Sequence, residues 1–150
     1  MPMKELLVIS LCIGLFACNK DKIVKDPALV GAWRMDSVMY LTSTTAVYKD
    51  TIYWGESNNK RLLMEVKDDN SFAFEYITKA VEGKGHFTLT KYGDMKSQAY
   101  ATNYPLTTYL MVYHFMEAMN NTTSYSIHDN QLSVFYVAGH KSIVKFTKEE

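Results

Sequence analysis

Cysteine is scarce in this chain, and neither cysteine lies where it could cross-link a folded domain. The 150 residues contain two, Cys12 and Cys18, both within the first eighteen positions. Residues 19–150 contain none, which excludes a disulfide and a cysteine-ligated metal from that part of the chain. We therefore expect the domain to be stabilised by packing, to which its 11 tyrosines, 9 methionines and 7 phenylalanines would contribute.

The chain also lacks an excess of either charge. Lysine and arginine together number 16, as do aspartate and glutamate, so the formal net charge is zero. The basic patch that marks most nucleic-acid-binding proteins is therefore missing. An apolar run from Leu6 to Phe16 is shorter than the ~20 residues that span a bilayer. We expect neither a nucleic-acid partner nor a transmembrane helix.

Motifs that carry catalysis or bind cofactors are missing as well. The sequence shows no Ser-His-Asp arrangement, no Gly-x-Ser-x-Gly turn and no phosphate-binding loop. His114 and Glu117 lie three residues apart on a predicted helix, so they share a face and could bind a metal. A metal site would need a third ligand, which the sequence does not indicate, and the alternative is a polar surface pair. We therefore expect no enzyme, no catalytic residue, no metal and no cofactor.

What the chain does have is a leader segment at its start. Lys4 precedes the apolar run, and Ala17 precedes Cys18. A charged start, a short apolar centre and a small residue before the cleavage point are typical of a secretory signal peptide. The order Leu15-Phe16-Ala17-Cys18 resembles the lipobox of bacterial lipoproteins. The alternative is an ordinary secretory signal in which the cysteine occurs by chance.

The lipoprotein resemblance implies how the protein is held in place. Residues 1–17 would be removed as a signal peptide, and Cys18 would carry fatty acyl chains such as palmitate. Residues 18–27 would form a lipidated tether, and residues 28–148 the folded domain. Because Asn19 rather than aspartate follows the cysteine, the resemblance implies the outer membrane, on its periplasmic face or at the cell surface. Two or more acyl chains make a stable anchor, so we expect the membrane to be a partner.

Alternating apolar residues in the rest of the chain predict seven or eight short β-strands. Trp33 and Met35 alternate with polar neighbours, and clusters of turn residues separate the later segments of the same period. The predicted strands lie within residues 29–38, 51–54, 62–66, 72–76, 87–89, 125–127, 132–137 and 142–147. Residues 82–85 are predicted as a turn, and residues 95–104 are only weakly patterned. Short strands separated by regular turns favour a mainly β fold, an antiparallel barrel or sandwich.

One late segment has a helical period instead. Its apolar positions are Leu106, Tyr109, Leu110, Tyr113, Met116 and Met119. Pro105 suits a first helical turn and Asn120 suits a stop, so we predict one helix over residues 106–119. A second apolar stripe, at Met111, Val112 and Phe115, favours burial of this helix against the sheet. The alternative is a surface of methionine and tyrosine for a partner or a bilayer.

Four aromatic residues are candidates for lining a ligand cavity. Phe72, Phe74 and Tyr76 share one face of a predicted strand, and Trp33 lies on the opening strand. In a barrel these side chains would point inward, where they could surround a small apolar ligand. The alternative is that the same side chains fill the interior as core, which is the more common role.

The order of these pieces resembles the META domain of HslJ-like bacterial proteins. Residues 29–38 resemble that family's opening Gly-x-Trp strand, and residues 85–89 resemble its Gly-x-Tyr/Phe strand. The family's helix and the hairpin after it have counterparts in residues 115–120, 125–127 and 132–134. The family's Gly-Cys-Asn motif and later cysteine are missing here. Small lipocalin-like lipoproteins, which share the Gly-x-Trp opening, are the second family that the chain resembles.

These resemblances imply a fold and a range of functions. The fold would be an incomplete antiparallel β-barrel of lipocalin topology, with one late helix across an end. Neither family implies catalysis. The META resemblance implies a non-enzymatic, lipid-anchored envelope protein that is structural, stress-related or bound to an envelope protein partner. The lipocalin-like resemblance implies the alternative, a lipoprotein that binds a small hydrophobic ligand.

Overall fold

The computed structural model describes residues 23–41, 48–53, 61–76, 80–102 and 109–150. These residues form nine strands, one α-helix and a short 3-10 helix. The strands are β1 (Gly31–Leu41), β2 (Tyr48–Tyr53), β3 (Leu62–Val66), β4 (Ser71–Tyr76), β5 (Val81–Leu89), β6 (Met95–Ala101), β7 (Thr122–His128), β8 (Gln131–Ala138) and β9 (His140–Lys148). The 3-10 helix is Pro27–Leu29, and the α-helix, α1, is Leu110–Asn120.

The strands form a nearly closed antiparallel barrel. Their order is β6-β5-β4-β3-β1-β9-β8-β7, and β2 pairs with the second half of β1. Strands adjacent in the sheet are adjacent along the chain, as in up-and-down barrels, apart from two pairs: β1 with β3, which skips β2, and β1 with β9, which joins the first strand to the last. At the remaining seam, β6 and β7 approach each other, and an isolated bridge joins Asp94 to Ser124. The predicted mainly β barrel with a single late helix is confirmed.

Burial alternates along the strands, which is why these segments are strands. In β4, Phe72, Phe74 and Tyr76 are buried, whereas Ala73 is exposed and Glu75 is partly exposed. The same period buries Leu62, Met64 and Val66 in β3. Because one residue in two faces the interior, the apolar halves of the strands whose burial is described form a continuous core within the barrel.

Residues 82–85 are part of β5, so the predicted turn is wrong. Gly83 pairs with Phe74, and Gly85 pairs with Phe72. A Cβ atom at Gly83 would lie 2.3 Å from the Phe74 ring, and one at Gly85 would lie 2.3 Å from the Phe72 ring. The two phenylalanine rings therefore occupy the space that side chains at these positions would take. The two glycines therefore make room for aromatic rings within a strand, although the local sequence Glu82-Gly83-Lys84-Gly85 resembles that of a turn.

Residues 95–101 form β6, although the sequence gives this segment only a weak pattern. Its inward positions are Met95, Ser97, Ala99 and Ala101, of which the first three are buried. The C-terminal end of α1 packs against this strand: the Ser97 hydroxyl donates to the Met119 carbonyl, and the Asn120 side chain accepts from the Ala99 amide at 3.0 Å. Small inward residues are needed where the helix approaches, and they weaken the apolar alternation.

α1 begins later than the spacing of apolar residues predicts. Tyr109 is extended, with φ −128° and ψ 99°, and the helix starts at Leu110. The predicted positions 106–108 lie outside the described residues. Tyr109 fits the helical pattern because its ring packs on Tyr76, with the ring centroids 5.1 Å apart, although its backbone is not helical. Within the described part of the chain, no helix has the length and apolarity needed to cross a bilayer.

The two ends of the barrel are covered differently. We call the end that carries the β3–β4, β5–β6 and β7–β8 turns the turn end, and the opposite end, where α1 lies, the helix end. Residues 24–30 run across the turn end. There the Trp33 indole donates to the Leu29 carbonyl at 2.7 Å, and the Tyr125 hydroxyl donates to the Asp26 carboxylate at 2.7 Å. Leu29 is 1% exposed, so this segment contributes to the core.

The anchor predictions concern a part of the chain that is mostly outside the described residues. The signal peptide over residues 1–17 and the lipidation site at Cys18 lie there entirely. Of the predicted tether, residues 23–27 are described, and they contact the barrel through Val24 and Asp26.

Candidate functional site

The four candidate cavity residues all lie inside the barrel. Trp33 is 0% exposed, Phe72 2%, Phe74 3% and Tyr76 4%. Phe72 stacks on Phe87 with ring centroids 4.6 Å apart. Trp33 lies near the turn end, where the Lys148 ammonium is 5.2 Å from the centroid of its ring. The inward orientation predicted from the alternation is thus what the structure shows.

Phe115 of α1 fills the space between these rings. Its ring lies 4.6 Å from that of Phe74, 6.4 Å from that of Phe72 and 6.2 Å from that of Phe146, measured between centroids. These side chains therefore form a continuous contact from β4, through α1, to β9 on the far side of the barrel. Within the described residues, aromatic and aliphatic side chains occupy the interior as a packed core.

A polar cluster lies at the helix end, where α1 meets β1, β8 and β9. It consists of Tyr40, His114, Glu117, Tyr136 and Ser142. The Tyr40 hydroxyl and Nδ1 of His114 are hydrogen-bonded at 2.7 Å. Glu117 Oε2 lies 3.7 Å from the same nitrogen. Ser142 pairs with Tyr40 on one side and with Tyr136 on the other, so the three side chains lie side by side across the sheet.

Burial determines the protonation states in the polar cluster. It lowers the pKa of His114, against the opposing effect of the Glu117 carboxylate. Burial likewise raises the pKa of Tyr40 and the pKa of Tyr136. At neutral pH the histidine is therefore neutral and both tyrosines are phenols. A nucleophilic or basic tyrosine would need the opposite shift, so this arrangement suits a structural role in fixing the helix.

One hydroxyl of the polar cluster is poorly satisfied. Tyr136 is 1% exposed, and its hydroxyl lies near the hydroxyls of Ser142 and Tyr40 without a hydrogen bond of acceptable geometry to the described residues. A buried hydroxyl without a partner costs about 1–3 kcal/mol.

The predicted pair His114 and Glu117 does come together, as the i, i+3 spacing requires. Among the described residues, however, no group of three histidine, cysteine, aspartate or glutamate side chains is arranged to hold a metal ion. Within the part of the chain that the structure describes, Tyr40, rather than a second carboxylate or a second imidazole, is hydrogen-bonded to the imidazole of His114. It lies 74 positions away in the sequence, which is why no local pattern links it to His114.

A groove runs along the seam between β6 and α1 at the helix end. We call it the helix groove; it has a volume of about 740 Å³ and is lined by Ala99, Tyr100, Ala101, Thr102, Tyr113, Met116, Glu117, Asn120 and Asn121. Tyr100 is 57% exposed and Tyr113 47%. The opposite side of the helix is buried, including Val112, Phe115 and Met119. Burial against the sheet and an exposed Met/Tyr surface, weighed above as alternatives, therefore describe two faces of the same helix.

Comparison with known proteins identifies the fold and no more. No family model matches the chain, and no curated protein matches it. Among solved structures, the chain is similar to the crystal structure of a DUF4847 family protein from Bacteroides vulgatus, with a TM-score of 0.53. That similarity covers 80% of this chain and 94% of the other at 15% sequence identity. The two proteins therefore share a barrel-shaped fold.

Proposed function

We propose that this protein is a non-enzymatic, lipid-anchored envelope protein that binds a protein partner at the helix groove. The observation that carries this proposal is the contrast between the packed interior of the barrel and its outer surface at the helix groove. The interior is packed, with Trp33 and Phe115 both 0% exposed, whereas Tyr100 and Tyr113 are exposed beside a groove.

The packed interior argues against the alternative of a carrier for small hydrophobic ligands. Such a carrier needs a pocket of roughly 300–1,000 Å³ that encloses most of the ligand. In this barrel the ring of Phe115 stands between Phe74 and Phe146, where a ligand of that kind would lie. The interior aromatic residues are therefore better explained as core than as a binding site.

The composition of the helix groove supports a protein partner. Tyrosine and methionine are enriched at protein–protein interfaces, where an apolar centre is surrounded by polar groups. Tyr100, Tyr113 and Met116 supply the apolar surface here, and Glu117, Asn120 and Asn121 supply polar groups at its edge. A tyrosine loses little conformational entropy on binding, so a few such residues can anchor a partner.

The anchor and the family enter this proposal from the sequence. The lipobox-like residues 15–18 support lipidation at Cys18 and a place at the outer membrane. The Gly-x-Trp opening and the late helix support kinship with META or lipocalin-like lipoproteins. The raised pKa of Tyr40 supports a phenol that serves as the hydrogen-bond partner of His114 rather than as a base.

Site-specific crosslinking tests the proposal. A photo-reactive amino acid would replace Tyr100 or Tyr113 in separate variants of the full-length protein expressed in its own cell envelope. Tyr92, which is 80% exposed in the β5–β6 turn at the turn end, is the matched control. We expect one envelope protein to be crosslinked reproducibly from both groove positions and not from position 92. Identical, background-level products at all three positions would refute the helix groove as a binding surface.

A further inference from the structure

The N-terminal segment reaches the barrel at the turn end. Val24 forms an antiparallel bridge with Leu89 at the end of β5, and the Asn70 side chain donates to the Val24 carbonyl at 2.7 Å. Antiparallel pairing sets Ile23 at the level of Thr90, next to the β5–β6 turn. The chain therefore approaches the barrel from the turn end, on the side opposite to α1.

Apolar side chains are exposed where the chain arrives. Tyr92, in the β5–β6 turn, is 80% exposed, Ile23 69% and Val24 37%. The Lys91 ammonium lies 4.9 Å from the centroid of the Tyr92 ring. An aromatic ring with a polar hydroxyl and a neighbouring ammonium suits the boundary between lipid headgroups and acyl chains.

The link between Cys18 and the described part of the chain is short. Cys18 lies only five residues before Ile23, and five residues span at most ~18 Å when fully extended. A lipid on Cys18 would therefore hold Ile23 and the β5–β6 turn close to the bilayer surface. At the high effective concentration that such a short link creates, even a weak contact is populated.

We infer that the turn end, through Ile23, Val24 and Tyr92, rests on the bilayer that holds the anchor. This inference depends on the lipid anchor of the proposed function. In this orientation the barrel stands on the membrane with its turn end, and the helix end, with the helix groove, faces the aqueous side. A partner protein would then reach Tyr100 and Tyr113 without obstruction by the bilayer.

The charges of the turn end indicate that this contact is apolar. The exposed charged residues of the three turns and of the segment that crosses this end are three lysines and four aspartates: Lys25, Lys67, Lys91, Asp68, Asp69, Asp94 and Asp129. These charges nearly balance, so an anionic lipid surface would not attract this end strongly by charge. We therefore expect the contact to depend little on the anionic lipid content.

Single-cysteine labelling measures this contact directly, since no cysteine follows Cys18 in the sequence. Tyr92→Cys and the control Val137→Cys, at the helix end, would each carry an environment-sensitive nitrobenzoxadiazole. The lipidated protein would be reconstituted in phosphatidylcholine vesicles with brominated acyl chains, with and without added phosphatidylglycerol. We expect the label at position 92 to be quenched severalfold more than the label at position 137, equally in both vesicles. In the same background, Ile23→Asp is expected to reduce the quenching at position 92.

The outcomes separate this inference from the proposal on which it rests. Vesicle flotation with no extra quenching at position 92 overturns the inference and leaves the anchor in place. Quenching that requires phosphatidylglycerol contradicts an apolar contact and also overturns it. Failure of the wild-type protein to float with vesicles refutes the anchor and the inference together. Because Tyr92 is 80% exposed, its replacement is expected to leave the melting temperature within a few degrees of the wild-type value.

Discussion

The ring of Phe74 lies where a side chain at Gly83 would be: a Cβ atom there would be 2.3 Å from the ring and 2.3 Å from the Tyr100 carbonyl oxygen. We expect Gly83→Ala to destabilise the barrel by about 1–3 kcal/mol, because the backbone of β6 cannot move as a side chain can. Urea denaturation would measure the change. Lys84→Ala, an outward position on the same strand, should change the free energy of unfolding by less than about 0.5 kcal/mol. Equal stability of Gly83→Ala and the wild type would show that the two strands are further apart than described.

Removal of the Phe115 ring tests whether the interior is packed. We expect Phe115→Ala to cost about 3–5 kcal/mol and to leave an apolar cavity that binds a small apolar molecule such as benzene. Thermal unfolding with and without benzene would show a stabilisation of the variant and none of the wild type. Phe115→Leu, which leaves a smaller cavity, is the milder variant if Phe115→Ala does not fold. Stabilisation of the wild type by benzene would instead favour the ligand-carrier alternative.

The two tyrosines of the polar cluster should respond in opposite ways to the loss of their hydroxyl groups. Tyr40→Phe removes the hydrogen bond to His114 and is expected to cost about 0.5–1.5 kcal/mol. Tyr136→Phe removes a buried hydroxyl that makes no hydrogen bond of acceptable geometry to the described residues, so its stability should equal or exceed that of the wild type. Denaturant titration of both variants supplies the comparison. A loss from Tyr136→Phe as large as that from Tyr40→Phe would mean that the Tyr136 hydroxyl is hydrogen-bonded.

The protein should become less stable as the pH is lowered, because of His114. Burial lowers its pKa in the folded state below the ordinary 6.5, so the unfolded chain binds more protons in that range. The contribution of this group is therefore fully present above pH 6.5 and is lost as the pH falls from that value through the lower pKa of the folded state. We expect the difference in unfolding free energy between pH 7.5 and pH 5.5 to shrink in His114→Gln. His140→Gln, which changes an exposed histidine at the start of β9, should keep the wild-type difference.

The barrel and its core could be predicted because their signals are local. The alternation at Trp33 and Met35, and again at Phe72 and Phe74, involves residues only two positions apart. The whole pattern is therefore visible within the sequence of a single strand. The turn assigned to residues 82–85 failed for the opposite reason. Whether a glycine bends the chain or admits a ring from the next strand depends on its partner, and here Phe74 decides it.

The polar cluster and the helix groove depend on contacts that no local pattern contains. His114 and Glu117 are visible as a pair because a helix brings i and i+3 together. Tyr40 and Tyr136 come close to His114 and Glu117 only when β1, β8 and β9 have paired in the barrel. Likewise, Tyr100 becomes part of the helix groove because the end of α1 packs on β6, where small inward residues conceal the strand period.

The pairing of β1 with β9 also has a kinetic consequence. Trp33 pairs with Lys148, which is more than a hundred residues later in the chain. Contacts this distant form slowly, since the cost of closing the loop precedes the gain from the contact. While a nascent chain lacks residues 140–148, one edge of β1 and one edge of β8 are unpaired, and such edges can pair with other chains. The chain is therefore most prone to aggregation just before its last strand emerges, and a chaperone would act most usefully in that interval.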